Sequence, residues 1–281
     1  MSRIKRGWVL TKKSWAVLNG HRGLVRFPLF GGIATIVLGI LFFGPGAYLI
    51  DQRTYGVGVA LIVIGIYVLS VVGIYFSVGL AACADRIFRG EPATVADGMA
   101  AANERFAQIC GWAALSTAVG VIVSLLESQG GLFGEIAGRL AGMAWSLITF
   151  LSVPVIAIEG TGPIDTLKRS ASLFKERWGQ QITGNLAIGG AVFLLGFIPA
   201  ALCVVLGFVV WPSVAIVGGL LVVLGVLIGC VALVVGKALS GIFGVALYRY
   251  ARDGAVLGGF SQDDLESAVK AKRGAKLPGT A

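Results

Sequence analysis

Residues 27–50 read FPLFGGIATIVLGILFFGPGAYLI, residues 51–56 read DQRTYG, and residues 57–82 read VGVALIVIGIYVLSVVGIYFSVGLAA. A helix that crosses a bilayer needs about 20 mainly apolar residues, and this stretch holds two such segments around one polar turn. Its only charges are Asp51 and Arg53, both in that turn. Four more segments of the same character follow, at 108–127, 138–158, 184–210 and 213–236. The sequence therefore predicts an all-α fold, a polytopic membrane bundle of six transmembrane helices. Interruptions are expected at Gly44-Pro45-Gly46, Asp51–Arg53, the charged run 85–107, Gln129-Gly130-Gly131, the run 159–178 and Trp211-Pro212. The apolar stretch 213–248 is longer than one bilayer, so the last helix should tilt or run on past the membrane surface. The segment after Phe27 is span-length and lacks a small-residue exit, which reads as a retained first helix rather than a cleaved signal.

Composition agrees. The chain of 281 residues is 57% hydrophobic and 13% charged, against roughly 45–50% and about 25% in soluble domains. A soluble fold could not clothe its surface with so few polar residues. The abundance of branched apolar residues excludes disorder, and the 42 glycines show no Gly-X-Y period, which excludes collagen.

The basic residues are distributed one-sidedly. Arg3, Lys5, Arg6, Lys12, Lys13, Arg22 and Arg26 precede the first span. Arg86, Arg89 and Arg105 lie between the second and third, and Lys168, Arg169, Lys175 and Arg177 between the fourth and fifth. Arg249, Arg252, Lys270, Lys272, Arg273 and Lys276 follow the last. Only Arg53 and Arg139 fall on the other side, and Lys237 lies within the final apolar stretch. Because lysine and arginine accumulate in cytoplasmic loops, both termini are expected in the cytoplasm. The net charge of +9 then belongs to a cytoplasmic collar and not to a nucleic-acid surface; it serves topology, or contact with anionic headgroups.

The chain resembles itself. Lys5-Arg6, Leu10, Lys12 and Trp15 recur at the same offsets as Lys168-Arg169, Leu173, Lys175 and Trp178, and a span follows each copy. A fainter middle copy begins at Asp97, which aligns with Asp165, as Phe106 does with Phe174 and Gly111 with Gly179. One transmembrane domain, 1–281, built from three units is expected: about 1–90, 91–160 and 161–255. Each would hold an interfacial amphipathic helix and two spans, and 256–281 would form a cytoplasmic tail with a short helix. In 3–18 the apolar residues Ile4, Trp8, Trp15 and Leu18 alternate with basic clusters, as in a helix lying in the headgroup plane. Around 163–178, Pro163 suits a first turn, and Ile164, Leu167, Ala171 and Phe174 are expected to share one face. The candidate headgroup contacts are accordingly Lys5, Arg6, Trp8, Lys12, Trp15, Lys168, Arg169, Lys175 and Trp178.

Small residues recur every fourth position at Gly134, Gly138 and Gly142, at Gly225 and Gly229, and at Ala232, Gly236, Ser240 and Gly244. Such stripes let backbones approach closely where lipid gives no hydrophobic drive; they pack the protein's own bundle or a self-association face. Cys83, Cys110, Cys203 and Cys230 have no paired spacing and read as packing residues. His21, the single histidine, suits the membrane interface. No catalytic residue, metal site or cofactor is expected, for no phosphate loop, nucleophile elbow or zinc motif is present. The midplane is nearly bare: Glu127, Asn185, Glu159 and Lys237 all fall near span ends, which disfavours ion-coupled transport. Glu159 and Lys237 reach similar depth and could pair, with Asp85 as the other partner for Lys237, unless the lysine simply snorkels.

The stretch Val153-Pro154-Val155-Ile156-Ala157-Ile158-Glu159-Gly160, continued by Leu167-Lys168-Arg169-Ser170 and Lys175-Glu176-Arg177-Trp178-Gly179, resembles an uncharacterised prokaryotic six-helix membrane family. The ending Ala246-Leu247-Tyr248-Arg249-Tyr250-Ala251 and Gly259-Phe260 fits it too. More distantly the chain is similar to the membrane domain found beside glycerophosphodiester phosphodiesterases. The resemblance implies a fold and a membrane location, and no activity.

The expected function is that of a non-enzymatic protein of the bacterial or archaeal plasma (inner) membrane, acting on anionic lipids or partner proteins through its collar. A homo-oligomer or another membrane protein are the protein partners considered. The alternative is a transporter or lipid translocator using the bundle interior, with an intramembrane enzyme third. A translocator should hold a continuous cavity or groove; a scaffold should be packed solid.

Overall fold

The computed structural model describes residues 3–129, 131–178, 196–211 and 214–257, and every regular element among them is a helix. They are α1 (Arg3–Gly20), a short 3-10 turn (Arg22–Val25), α2 (Arg26–Asp51), α3 (Tyr55–Phe88), α4 (Val95–Glu104), α5 (Phe106–Gln129), α6 (Gly131–Ile148), α7 (Ser152–Glu159), α8 (Pro163–Trp178), α9 (Ile198–Val210) and α10 (Ala215–Asp253). Helices are what a chain this apolar must form, since in hydrocarbon every backbone N–H and C=O has to be satisfied within its own segment. Among the described residues, five stretches are long and apolar enough to cross a membrane: Arg22–Asp51, Tyr55–Phe88, Phe106–Ser128, Gly134–Glu159 and Ala215–Asp253. Of the expected span 184–210, the part up to 195 lies outside the described residues. Its remainder is α9, 13 residues long, with Pro199 in the first turn, where no N–H is needed.

One expected interruption and one expected continuous span are corrected. Gly44-Pro45-Gly46 does not break the first span, because α2 runs through Pro45 to Asp51. There Gly46 lies against the Gly58 carbonyl and Ile62 of α3, so small residues bring the two helices together around the proline. The fourth span, expected unbroken over 138–158, is instead split at Thr149-Phe150-Leu151 between α6 and α7. Pro154, in the first turn of α7, has no N–H to return to the preceding turn. At the turn itself, the Ile148 carbonyl and the Leu151 N–H are satisfied from α8: the buried Ser170 hydroxyl donates to the first at 2.5 Å and accepts from the second at 3.2 Å. Ser170→Ala should therefore cost about 1–3 kcal/mol, the penalty of orphaning buried polar groups. Ser172→Ala, which removes only a bond to the Arg169 carbonyl of its own helix, should cost much less. Denaturant titration in mild detergent would compare them, and equal losses would refute the capping role.

The core is displaced to one end of the molecule. At 1.5 Å per residue, α3 with 34 residues and α10 with 39 extend about 51 and 58 Å, far beyond a hydrocarbon core of roughly 30 Å. Their first halves are largely exposed, as lipid-facing helices are. Their last turns carry the buried core: Val78, Leu80, Ala81, Cys83 and Ala84 of α3 with Leu239, Ile242, Val245, Ala246, Leu247 and Tyr248 of α10, joined by Phe27, Ile109, Leu151 and Ile156. Neighbouring helices α2–α3, α5–α6 and α9–α10 pack as hairpins, and α3 is the hub that α4, α5, α7 and α10 share. The apolar stretch expected to exceed one bilayer forms a single continuous helix, Ala215–Asp253.

The short helices bury polar as well as apolar residues. In α8 the buried residues are Thr166, Ser170, Leu173 and Phe174, while Ile164 is 54% exposed. In α1, Ser14 and Leu18 are buried, and Trp15 is half exposed. Ile4 lies where side chains are outside the described residues, as do Asn185, Gly179, Gly259, Phe260 and most of the tail from 256.

Candidate functional site

Five arginines of the basic end, Arg86, Arg89, Arg169, Arg249 and Arg252, are held by carboxylates in one polar lattice. Asp85, near the C-terminal end of α3, keeps a side chain only 6% exposed. Its two oxygens accept from Arg249 Nε at 2.6 Å and Nη2 at 2.8 Å, a bidentate pair that clamps α10 to α3. Arg89 Nε lies 3.3 Å from the same carboxylate. Arg249 Nη1 continues to Asp253 at 3.2 Å, and Arg252 Nε reaches Asp253 at 2.7 Å. Arg252 then donates to the Tyr248 hydroxyl at 3.1 Å and lies 5.5 Å over its ring centre. Tyr248 in turn donates to Glu159 Oε1 at 2.6 Å. Arg169 Nε closes the chain on Glu159, at 3.0 and 3.2 Å to its two oxygens. Three helices, α7, α8 and α10, thus meet at one carboxylate.

A second branch runs along α3 and α4. Arg89 Nη1 pairs with Glu91 at 2.8 Å, and Arg86 Nη1 with Asp97 at 3.0 Å. Thr94 and Asp97 form a reciprocal capping box that starts α4. The Thr94 hydroxyl and backbone N–H, donating to Asp97 at 2.6 and 2.8 Å, hold that carboxyl below the usual carboxylate range. The Cys83 thiol donates to the Thr94 carbonyl at 3.1 Å, tying α3 to the same turn.

Chain geometry at this end is uniform. The three glycines with left-handed φ among the described residues are Gly90, Gly160 and Gly254, at +77°, +65° and +69°. Each follows the end of a helix that finishes in the lattice: α3, α7 and α10. At Gly160 a β-carbon would also meet Arg105, 2.7 Å from Cζ, so the glycine admits that guanidinium against the turn.

The Glu159–Lys237 pair is not formed. Glu159 is held by Arg169 and Tyr248, whereas Lys237 is exposed and has no carboxylate within ion-pair distance among the described residues. It stands just before Ala238, where α10 passes from its exposed half into the buried core. Asp85 likewise goes to Arg249 and not to Lys237. Of the candidate headgroup contacts, Lys12, Trp15, Lys168 and Lys175 are exposed, and Arg169 has joined the lattice. The side chains of Lys5, Arg6, Trp8 and Trp178 lie outside the described residues. The four cysteines are unpaired. Small residues pack within the protein: Gly138 against Glu127, Gly225 against the Ala200 carbonyl and Val204, Gly241 against Leu80.

Five helical stretches among the described residues are able to cross a membrane, and three of them (Tyr55–Phe88, Gly134–Glu159 and Ala215–Asp253) are tied at one end by a guanidinium–carboxylate lattice, as suits an α-helical membrane protein. The chain belongs to a family of unknown function (DUF6159), whose model matches residues 57–259. No curated protein and no solved structure matches it. The expected membership of an uncharacterised family is met; the likeness to the membrane domain of glycerophosphodiester phosphodiesterases finds no support.

Proposed function

We propose that this protein is a non-enzymatic membrane platform: six spans in three units anchor a packed basic end that holds anionic lipid headgroups. The observation that carries the reading is the displacement of the core. Buried residues gather at the last turns of α3 and α10, ringed by the exposed cations Arg22, Arg26, Lys168 and Lys175, while the other half of the long helices is exposed apolar surface. Packing without exposure at Val78, Ala84, Val155, Ile242 and Ala246 favours a scaffold over a translocator, whose path would have to cross this end.

Three units are supported by the left-handed glycines, one at the end of each proposed second span, and by two acids, Asp97 and Asp165, in the first turns of α4 and α8. The one-sided distribution of lysine and arginine puts both termini in the cytoplasm and the protein in the inner membrane. A membrane-impermeant thiol label should then reach a cysteine placed at position 130 only from outside the cell, and a C-terminal reporter should be active inside.

Native mass spectrometry of the whole protein in mild detergent tests the function. More phosphatidylglycerol than phosphatidylcholine should be retained, and Lys168→Gln with Lys175→Gln should reduce the excess, each basic group near the surface being worth about 1 kcal/mol. Equal retention of the two lipids, together with lipid movement between leaflets of reconstituted vesicles, would favour the translocator.

A further inference from the structure

A cavity of about 220 Å³ opens at the basic end, between the turn preceding α2, the last turns of α3 and the start of α4. Its walls are apolar: Leu24, Phe27 and Cys83 are 3%, 1% and 1% exposed, and Ile87, Ala93 and Val95 complete them. His21 and Arg26, both exposed, also line it. We infer that this cavity is a binding site for one anionic phospholipid, with the phosphodiester held by Arg26 at the mouth and the adjoining glycerol ester in the apolar hollow.

The charge balance around the cavity supports an anion. Three carboxylates lie nearby, and each is already matched: Asp85 by Arg249 and Arg89, Glu91 by Arg89 and Arg86, and Asp97 by Arg86. The Cys83 thiol is spent on the Thr94 carbonyl. Arg26 has no ion pair among the described residues, and His21 turns Nδ1 to the Val17 carbonyl at 3.3 Å. The one formal charge lining the hollow, left without a carboxylate, is thus the Arg26 guanidinium.

Size and position support a lipid. A hollow of about 220 Å³ is smaller than the roughly 300–1,000 Å³ that enclose a whole drug-sized ligand, so it receives one end of a molecule whose remainder lies elsewhere. Arg26 is the first residue of α2, a helix able to cross the membrane, which sets its guanidinium at the level where headgroups meet acyl chains. A free phosphate ester would use the guanidinium and leave the apolar walls without a partner. The inference rests on the proposed basic collar and assigns it one defined site.

The experiment titrates the whole protein in mild detergent with phosphatidylglycerol and follows bound lipid by native mass spectrometry. One lipid per chain should bind more tightly than the rest. Arg26→Gln should weaken that one by about fivefold, the equivalent of about 1 kcal/mol for one basic group. Ala93→Phe, which fills the hollow and changes no charge, should weaken it at least as much, while Lys168→Gln with Lys175→Gln should reduce only the weaker lipids. Melting curves establish that each variant is folded, and Arg26→Gln alters an exposed side chain, so the test survives if Ala93→Phe does not fold. Loss of lipid in the collar variants but not in Arg26→Gln or Ala93→Phe would overturn the site and leave the collar reading intact. No preference for phosphatidylglycerol over phosphatidylcholine in the unaltered protein would overturn both. Complete displacement by millimolar glycerol 3-phosphate would show that a soluble phosphate ester is the ligand, against the lipid.

Discussion

Arg249→Met is expected to lower the free energy of unfolding by about 3–5 kcal/mol, the usual cost of removing one partner of a buried ion pair. Asp85 would keep only Arg89, at 3.3 Å and with a side chain 48% exposed, and its carboxylate would stay buried with half its bonds unmade. The reverse change, Asp85→Leu, should cost less, because Arg249 retains Asp253 at 3.2 Å. Arg249→Lys should fall between, since an ammonium cannot repeat the two-pronged contact of Nε and Nη2. The double variant Asp85→Leu with Arg249→Met should recover most of the loss, because neither charge is then buried alone. Denaturant titration of all four proteins in mild detergent would measure the coupling. A double variant as unstable as the sum of the singles would mean that the clamp contributes nothing as a pair.

What was legible in the sequence follows the physics each signal reports. Span positions are set by hydropathy, a local property, and the ends at Asp51, Gln129 and Val210 lie within a few residues of the expected turns. The break at 149–151 was not legible: Pro154 suits either a continuous or an interrupted membrane helix, and the choice depends on Ser170, on another helix. The polar part of the buried α8 face was not legible for a related reason. The period at 163–178 was read from apolar residues, yet α8 buries Thr166 and Ser170 because the surface it covers includes polar backbone. Pairing between distant charges failed most plainly. Asp85 and Arg249 are 164 residues apart, and no local pattern joins them. Glu159 was matched to Lys237 by depth alone, whereas a partner must also lie on the facing side of its helix, where Arg169 and Tyr248 are.

Gly218→Val is expected to destabilise the protein by about 1–3 kcal/mol or more, the cost of overpacking a tight contact, and Gly58→Val by a similar amount. Gly58 and Gly218 are each the fourth residue of a long helix, α3 and α10. A β-carbon on Gly218 would lie 2.7 Å from the Gly207 carbonyl oxygen and 2.7 Å from Trp211 Cα; on Gly58 it would lie 2.8 Å from the Gly46 carbonyl oxygen. The contacts are reciprocal, since a β-carbon on Gly207 would meet the Gly218 carbonyl and Val222, and one on Gly46 the Gly58 carbonyl and Ile62. The obstacles include backbone atoms, which cannot rotate aside as a side chain would, so the helices of each hairpin would have to separate. The surrounding sequences agree: VGVALIVIGI at 57–66 and VGGLLVVLGV at 217–226 share Val57/Val217, Gly58/Gly218, Leu61/Leu221, Val63/Val223 and Gly65/Gly225. Gly65 and Gly225 again face the partner helix, at Phe42 and at the Ala200 carbonyl. Gly32→Ala and Gly39→Ala, where nothing lies within 4 Å, should be neutral or gain about 0.5–1 kcal/mol from restricting the unfolded chain. Melting in mild detergent would rank the four. If the first and third units are built alike, the two valine variants fall together and the two alanine controls do not. A harmless Gly218→Val beside a damaging Gly58→Val would show that the two hairpins are not closed by the same contact, and would remove the strongest argument for their equivalence.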